Sequence, residues 1–493
     1  MKVVEASEVA FVELELACEY SAELTHGHLT AEGKAEAYNQ ASRDSYTEKQ
    51  TKLFLKLNPG VGKQFNQKET DLNDDGEEEF TENKMFLMNR KTLSQGLLNH
   101  ETKCEIERSN PTSKVKFGPR KVGGKHVTFK ESRKQYFQMI DVKRQTELYS
   151  HVCYAGCKKR GCEKVSTFDG LWKISFAICM WDCSSAYPSA ITEYVPQCCP
   201  NEPENGKAFC DSHSQVVEKL GKPSGLRPFL ESCGVKGENI NKEEKKGVDC
   251  ILKEMAAKSL VKEPGGRTAG EEQGTERLLR KCSKDVKNFE VVKNNEEECR
   301  KDVGENVRLR RYSRGYLAAC SGGGHIWSFD PLFKSEGPVQ VSLLMLKYLM
   351  KRLAKTDQAE WNGHFLNYDN ICNLDRLKLL RNPLPLPAPF STVWKDVRKV
   401  IDPLHIKNHK NPNCHIEYSS EKLKSELPDV NLMVAEQTFS WLGKFKKILN
   451  SMPKYNQLFL LHRLVQRRNE YTQYCYSIGA KPMLPSVKAS KNK

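Results

Sequence analysis

The chain has 493 residues, 38% of them apolar, with 78 Lys and Arg against 63 Asp and Glu, 18 Cys and a net charge of +15. That apolar share excludes a wholly disordered chain, and the length suits about two to four domains. No stretch approaches the ~20 apolar residues of a membrane span, and the acids scattered through "MKVVEASEVAFVELELACEY" speak against a secretory signal, so no membrane association is expected.

In chain order, residues 1–150 read as an N-terminal region of unknown function, in part disordered. It has a helical opening, a turn at "NPGVG", and an acidic run at 71–82. The basic stretch "KVKFGPRKVGGKHVTFK" reads as a loop in preference to a nucleic-acid-binding arm. Residues 151–235 are rich in cysteine, and with no signal sequence expected this favours metal ligands over disulfides. Here "GLWKISFAICMW" has the bulky, β-branched and aromatic content of a strand beginning directly after Asp169. Residues 236–311 carry 19 basic and 16 acidic groups and read as a charged linker or helical insertion.

Residues 312–480 return to a globular texture. "RGYLAACSGGGHIWSF" predicts two strands around a glycine turn, and "PVQVSLLMLKYLMKRLAK" has the apolar spacing of a helix. "HFLNYDNICNL" predicts a short strand ending near Asp369. "MVAEQTFSWLGKFKKILNSM" reads as an amphipathic helix with Glu436 in its first turn, and a last helix runs through "YNQLFLLHRLVQRRNEYTQYCY". A basic tail, 481–493, closes the chain. Alternating strands and helices predict an α/β domain with helices packed on a mixed sheet. Residues 312–493 hold 27 basic and 14 acidic groups, so almost all the positive excess sits here, where it would attract polyanions, nucleic acid being the commonest, or serve only as a soluble basic surface.

Three constellations carry chemistry. Asp169, Asp369 and Glu436 are acids in three different contexts, and carboxylates brought together can hold two Mg²⁺ or Mn²⁺ ions for phosphodiester cleavage. Between Gln437 and Asn469 there is no acid at all, while Lys444, Lys446, Lys447, Arg463, Arg467 and Arg468 form a basic helical hairpin suited to phosphates. The second constellation has zinc-ligand spacing. His151, Cys153, Cys157 and Cys162 form one set with an ambiguous partition of ligands, and Cys198, Cys199, Cys210 and His213 form a knuckle-like set with Pro and Gly turns. In the third, His405 and His409 would share a helix face beside Asp402. Cys414 would return after a proline turn, and His415, Cys372 or Cys320 could complete the site; two hydrogen-bonded histidines are the alternative. "CSGGGH" lacks a phosphate-cradle pattern and reads as a turn between strands.

The stretches "FDGLWKISFAICM", "RGYLAACSGGGHI", "YDNICNL", "DPLHIKNHKNPNC", "EQTFSWLGKFKKIL" and "FLLHRLVQRRNEYTQYC", with the knuckle between Cys199 and His213, resemble the KDZ (Kyakuja-Dileera-Zisupton) transposases of animals. The likeness covers about half the chain, 151–235 and 312–480. It implies an RNase H-like mixed-sheet core with an inserted zinc-binding cysteine cluster, and a DDE triad falling on Asp169, Asp369 and Glu436. It also implies structural Zn²⁺, catalytic Mg²⁺ or Mn²⁺, DNA as partner, a nuclear location and a homo-oligomer in the active form. The Gly-rich segment usual before the catalytic Glu is replaced here by "PDVNLMVAEQ". A host-adapted zinc-dependent DNA-binding protein without catalysis is the alternative function.

Overall fold

The structure, a computed structural model, describes residues 3–7, 10–13, 34, 90–109, 120–122, 125–127, 129–171, 174–182, 199–237, 239–261, 299, 309, 311–333, 337–381, 383–384 and 386–483. The "NPGVG" turn, the acidic run at 71–82 and most of the basic tail lie outside these residues. Two compact units divide the chain at 136/137. In the first, β1 (Val3–Ser7) and β2 (Ala10–Glu13) form an antiparallel hairpin where a helical opening was expected. The β-branched Val3, Val4 and Val12 and the aromatic Phe11 favour extended backbone, which outweighs the helix-forming Glu and Ala content. Helix α1 (Arg90–Ser109) follows, then β3 (Arg120–Val122) and β4 (Lys125–Val127), which pair antiparallel, so part of the basic stretch expected as a loop is strand.

Helix α2 (Phe129–Thr146) leads toward the second unit, which is built on a five-stranded sheet ordered β7-β6-β5-β8-β9. Its strands are β5 (Val165–Leu171), β6 (Tyr316–Ser321), β7 (Ile326–Pro331), β8 (Phe365–Asn367) and β9 (Arg398–Val400). β5, β6 and β7 are antiparallel in series, whereas β8 and β9 run parallel to β5. Both faces are covered, as a sheet with parallel strands requires. On one face α7 (Pro338–Arg352) places Tyr348 against Phe168 and hydrogen-bonds it to Ser166 at 2.7 Å. On the other lies α13 (Lys454–Ser477): Tyr316 donates to Gln457 at 2.6 Å, and Asn469 bridges the N–H and C=O of Ile326 at 2.8 and 2.9 Å.

The amphipathic helix expected around Glu436 is broken. It runs as α11 (Val434–Leu442), then a tight 3₁₀ turn over Gly443–Phe445, then α12 (Lys446–Asn450). The remaining helices are α3 (Ala155–Lys159), α4 (Asp211–Lys219), α5 (Leu226–Ser232), α6 (Lys242–Val261), α8 (Ile371–Asp375), α9 (Pro412–Glu417) and α10 (Glu421–Glu426), with short turns at Lys378–Arg381 and Val393–Asp396. The main core fills the α7 face with Val341, Leu344, Leu349, Trp361, Leu366 and Trp394. A second core gathers Trp181, Phe209, Val217, Phe229, Val248 and Leu252. Helix α6, from the charged segment, is therefore anchored in that core by its apolar stripe. Among the described residues no helix is long and apolar enough to cross a membrane.

The glycine turn between β6 and β7 sits where two pieces of backbone nearly touch. A Cβ at Gly322 would collide with the carbonyl oxygen of Arg160, and one at Gly323 would come within 2.9 Å of Cys157. The obstacle at Gly322 is backbone, so it cannot swing aside. Gly322→Ala is expected to cost about 1–3 kcal/mol, the range for overpacking, read as a lower Tm. An unshifted Tm would show that this approach is not needed.

Candidate metal centres and the acidic edge of the sheet

Among the described residues thiols and imidazoles meet at three places, in groups whose ligand atoms all lie within 4.8 Å of one another. Each has three Cys and one His, and the described cysteines are free of disulfides. Tetrahedral zinc with Zn–S near 2.3 Å and Zn–N near 2.0 Å puts sulfurs about 3.8 Å apart and sulfur about 3.5 Å from nitrogen. The observed separations bracket those values, so all three sets fit zinc.

In the first centre His151, Cys153, Cys157 and Cys162 are all present. The sulfurs of Cys153 and Cys157 are 3.2 Å apart, and Nε2 of His151 lies 3.0 Å from Cys162 and 3.6 Å from Cys157. Helix α3 presents Cys157 to the backbone N–H of Tyr154 at 3.1 Å. Hydrogen bonding, chiefly with Cys162, pushes the Cys157 thiol down to about 5, toward the thiolate that binds metal. The glycine turn described above closes over this centre.

The second centre is Cys179, Cys199, Cys210 and His213. Cys199 and Cys210 are 3.9 Å apart, and Nδ1 of His213 lies 3.4 Å from Cys210 and 3.5 Å from Cys179. Cys210 precedes α4 and His213 occupies its first turn, which sets their separation. Trp181 stacks on the His213 ring with centroids 5.0 Å apart. Hydrogen bonding, chiefly with Cys179, pulls the Cys199 thiol down to about 4. Cys198 lies outside the described residues.

The third centre is Cys299, Cys372, His409 and Cys414. Cys299 and Cys414 are 3.7 Å apart, and Nδ1 of His409 is 3.5 Å from Cys372. Of the completing ligands expected from sequence, Cys372 is the one present. Cys320 is buried within β6, and His415 turns its Nε2 to the carbonyl of His409 at 3.0 Å.

His405 stands apart from that centre. The two histidines do not share a helix face, because they flank a single 3₁₀ turn at Ile406–Asn408 between Pro403 and Pro412, too short for an α-helical repeat. Nδ1 of His405 is 2.7 Å from Asp402 and Nε2 is 3.5 Å from Glu436. The hydrogen bond with Asp402, reinforced by the charges of Asp402, Asp369 and Glu436, raises its pKa to about 9. At neutral pH His405 is therefore an imidazolium among carboxylates.

Asp169 lies inside β5, not ahead of a strand: β5 starts at Val165 and ends at Leu171, because the β-branched and aromatic "VSTF" carries the pairing. Thr167 pairs with Asn367, and Asn367 pairs with Val400. Two residues further along each chain stand Asp169, Asp369 and Asp402, at the carboxyl ends of three neighbouring parallel strands. Ligands of open α/β sheets bind at such ends. The side chain of Asn367 donates to Thr167 at 3.4 Å and to the carbonyl of Leu432 at 2.9 Å, so α11 and the odd-numbered side of β5 share one face. Glu436, in the first turn of α11, reaches this edge with its side chain about one-third exposed. Asp169 and Asp369 are half-buried. This acidic edge is more open than the three Cys/His centres and is not one of the close-set groups among the described residues.

The basic residues divide. Lys444, Lys446 and Lys447 are exposed just beyond Glu436, and Arg467 is half-buried. Arg463 and Arg468 are buried, correcting the expectation of a basic face on α13. Arg463 donates to Gln466 at 2.6 Å; Arg468 donates to the carbonyl of Met483 at 2.6 Å and lies over the rings of Trp441 and Tyr471. The helix covers a sheet face, so its length is mostly interior. Lys407 and Lys410, exposed beside His405 and His409, are additional cations that the sequence reading passed over.

Comparison with known proteins finds no match to a family model, to a curated protein or to a solved structure.

Proposed function

We propose that the chain is a divalent-metal-dependent DNA cleavage and strand-transfer enzyme of the DDE transposase kind, acting in the nucleus as a homo-oligomer, on an RNase H-like core with structural zinc. The observation that carries this reading is the register of Asp169 and Asp369 at the ends of adjacent parallel strands, with Glu436 delivered from a helix on the same face. The sheet order, three antiparallel strands followed by two parallel to the first, is the order expected of an RNase H-like core. Mg²⁺ or Mn²⁺ held by Asp169, Asp369 and Glu436 would activate a water or 3′-hydroxyl and stabilise the leaving oxygen. Asp402 and His405 extend the acidic edge, His405 balancing its charge and Asp402 fixing the ring through its Nδ1. Lys444, Lys446 and Lys447 hold the phosphates of the duplex beside the acids.

A second reading, a zinc-dependent DNA-binding protein without catalysis, is favoured by one contact: the His405 imidazolium already serves as counter-ion to Glu436. The test is nicking of labelled duplex DNA by the full chain with Mg²⁺, with Mn²⁺ and with neither, alongside binding measured against salt. Nicking that requires the divalent ion is expected. Replacing Lys444, Lys446 and Lys447 by Ala should weaken binding to all sequences alike and reduce the salt slope by about one per lost phosphate contact. Salt-dependent binding with zinc retained and no nicking under any condition would overturn the catalytic reading in favour of the second.

A further inference from the structure

We infer that His409 is a positioning residue, coupling zinc held in the third centre to the turn that carries Asp369. The inference rests on the reading of Asp369 as a metal-binding acid. A histidine ligand gives one ring nitrogen to the metal and uses the other, protonated, to fix its ring against a neighbouring acceptor. In His409 Nδ1 faces the thiols, 3.5 Å from Cys372, and Nε2 lies 2.9 Å from the backbone oxygen of Asp369. A carbonyl only accepts, so Nε2 carries the proton and Nδ1 keeps its lone pair for the ion. The tautomer that zinc requires is the one that holds Asp369.

The turn is gripped at further points by the same centre. Cys372 follows Asp369 by three residues, in the first turn of α8. Cys299 accepts a hydrogen bond from the backbone N–H of Asn411 at 3.3 Å, and its carbonyl accepts one from Asn373 at 3.0 Å, while Asn373 also donates to Asn370. One ion would thus lock together Cys299, the 369–373 turn and the 409–414 segment.

The experiment uses the full chain and two variants, measuring zinc per chain, hydrogen–deuterium exchange over 368–374, and Mn²⁺ binding. Cys299→Ser removes a ligand and is expected to lose one zinc of three and to speed exchange in this segment. His409→Cys keeps four ligands but has no donor for the Asp369 carbonyl. It is expected to retain three zincs, to exchange about three- to tenfold faster across 368–374, the size expected for losing one buried hydrogen bond, and to bind Mn²⁺ more weakly. His409→Cys with three zincs and wild-type exchange would overturn the positioning role, and an unchanged zinc content in Cys299→Ser would overturn the centre itself. If the wild-type chain cleaves no DNA while zinc content and exchange change as stated, the catalytic reading fails and the coupling stands.

Discussion

Stripping zinc from the purified chain with a strong chelator is expected to unfold the 137–493 unit, not merely to loosen its surface. Cys157, Cys162, Cys299, Cys372 and Cys414 are constituents of the main core, packed with Leu317, Trp327, Val341 and Ile371. Structural zinc contributes about 10–16 kcal/mol in small zinc-binding peptides, against a net domain stability of about 5–15 kcal/mol. Losing all three centres together therefore removes more than the whole. Without metal, several thiols would also be left within 4 Å of one another in the interior, with no cation to offset the charge of any that ionise. Near-ultraviolet circular dichroism and thermal scans, with zinc measured on the same samples, make the check. A protein proven free of zinc that keeps its tertiary signal and Tm would show the centres to be ordinary buried cysteines.

The second large effect concerns the acids. On the proposed catalytic reading, Asp369→Asn and Glu436→Gln are each expected to lower metal-dependent cleavage by about 10³-fold or more, since each would remove a charged ligand worth several kcal/mol at about 1.4 kcal/mol per tenfold. Both side chains lie at a partly open edge, so zinc content and Tm should stay near wild type. On the same reading DNA binding should hold or strengthen, because a negative charge that would lie near the phosphates has gone. Asp402→Asn is a useful third variant: it should act through His405, whose ring it orients by a 2.7 Å contact, and so reduce cleavage less than the other two. Cleavage persisting within about tenfold of wild type in both primary variants would remove Asp369 and Glu436 from the chemistry and point to a contaminating nuclease.

What could be read in the sequence depended on how locally each feature was encoded. The first centre was legible because its four ligands lie between His151 and Cys162, and the β6–β7 hairpin because its glycines are contiguous. Cys179 was not, because it sits in the apolar run "SFAICMW", whose strand-like texture masks a ligand. Cys299 was hidden for the opposite reason, among charged residues with no apolar context. Arg463 and Arg468 show the limit of counting charge: a helix that spans a core can bury an arginine when a glutamine or a carbonyl receives it. The alignment of Asp402 with Asp169 and Asp369 follows from strand register, which pairing between distant segments fixes and no spacing along the chain reveals.

The three centres also differ in how far apart their ligands lie along the chain, and this bears on the order in which the protein can assemble. The most separated ligands are 11 residues apart in the first, 34 in the second and 115 in the third, going by the His151–Cys162, Cys179–His213 and Cys299–Cys414 contacts. Closing the longest of these loops costs about 2 kcal/mol more in chain entropy than closing the shortest. During synthesis at about 5–20 residues per second, the first two can capture metal before β6 has been made. The third must wait for Cys414, by which time Asp169, Asp369 and Asp402 have all been synthesised. Its closure would be a late event in folding, and the acidic edge would take its final shape only with the last ion captured.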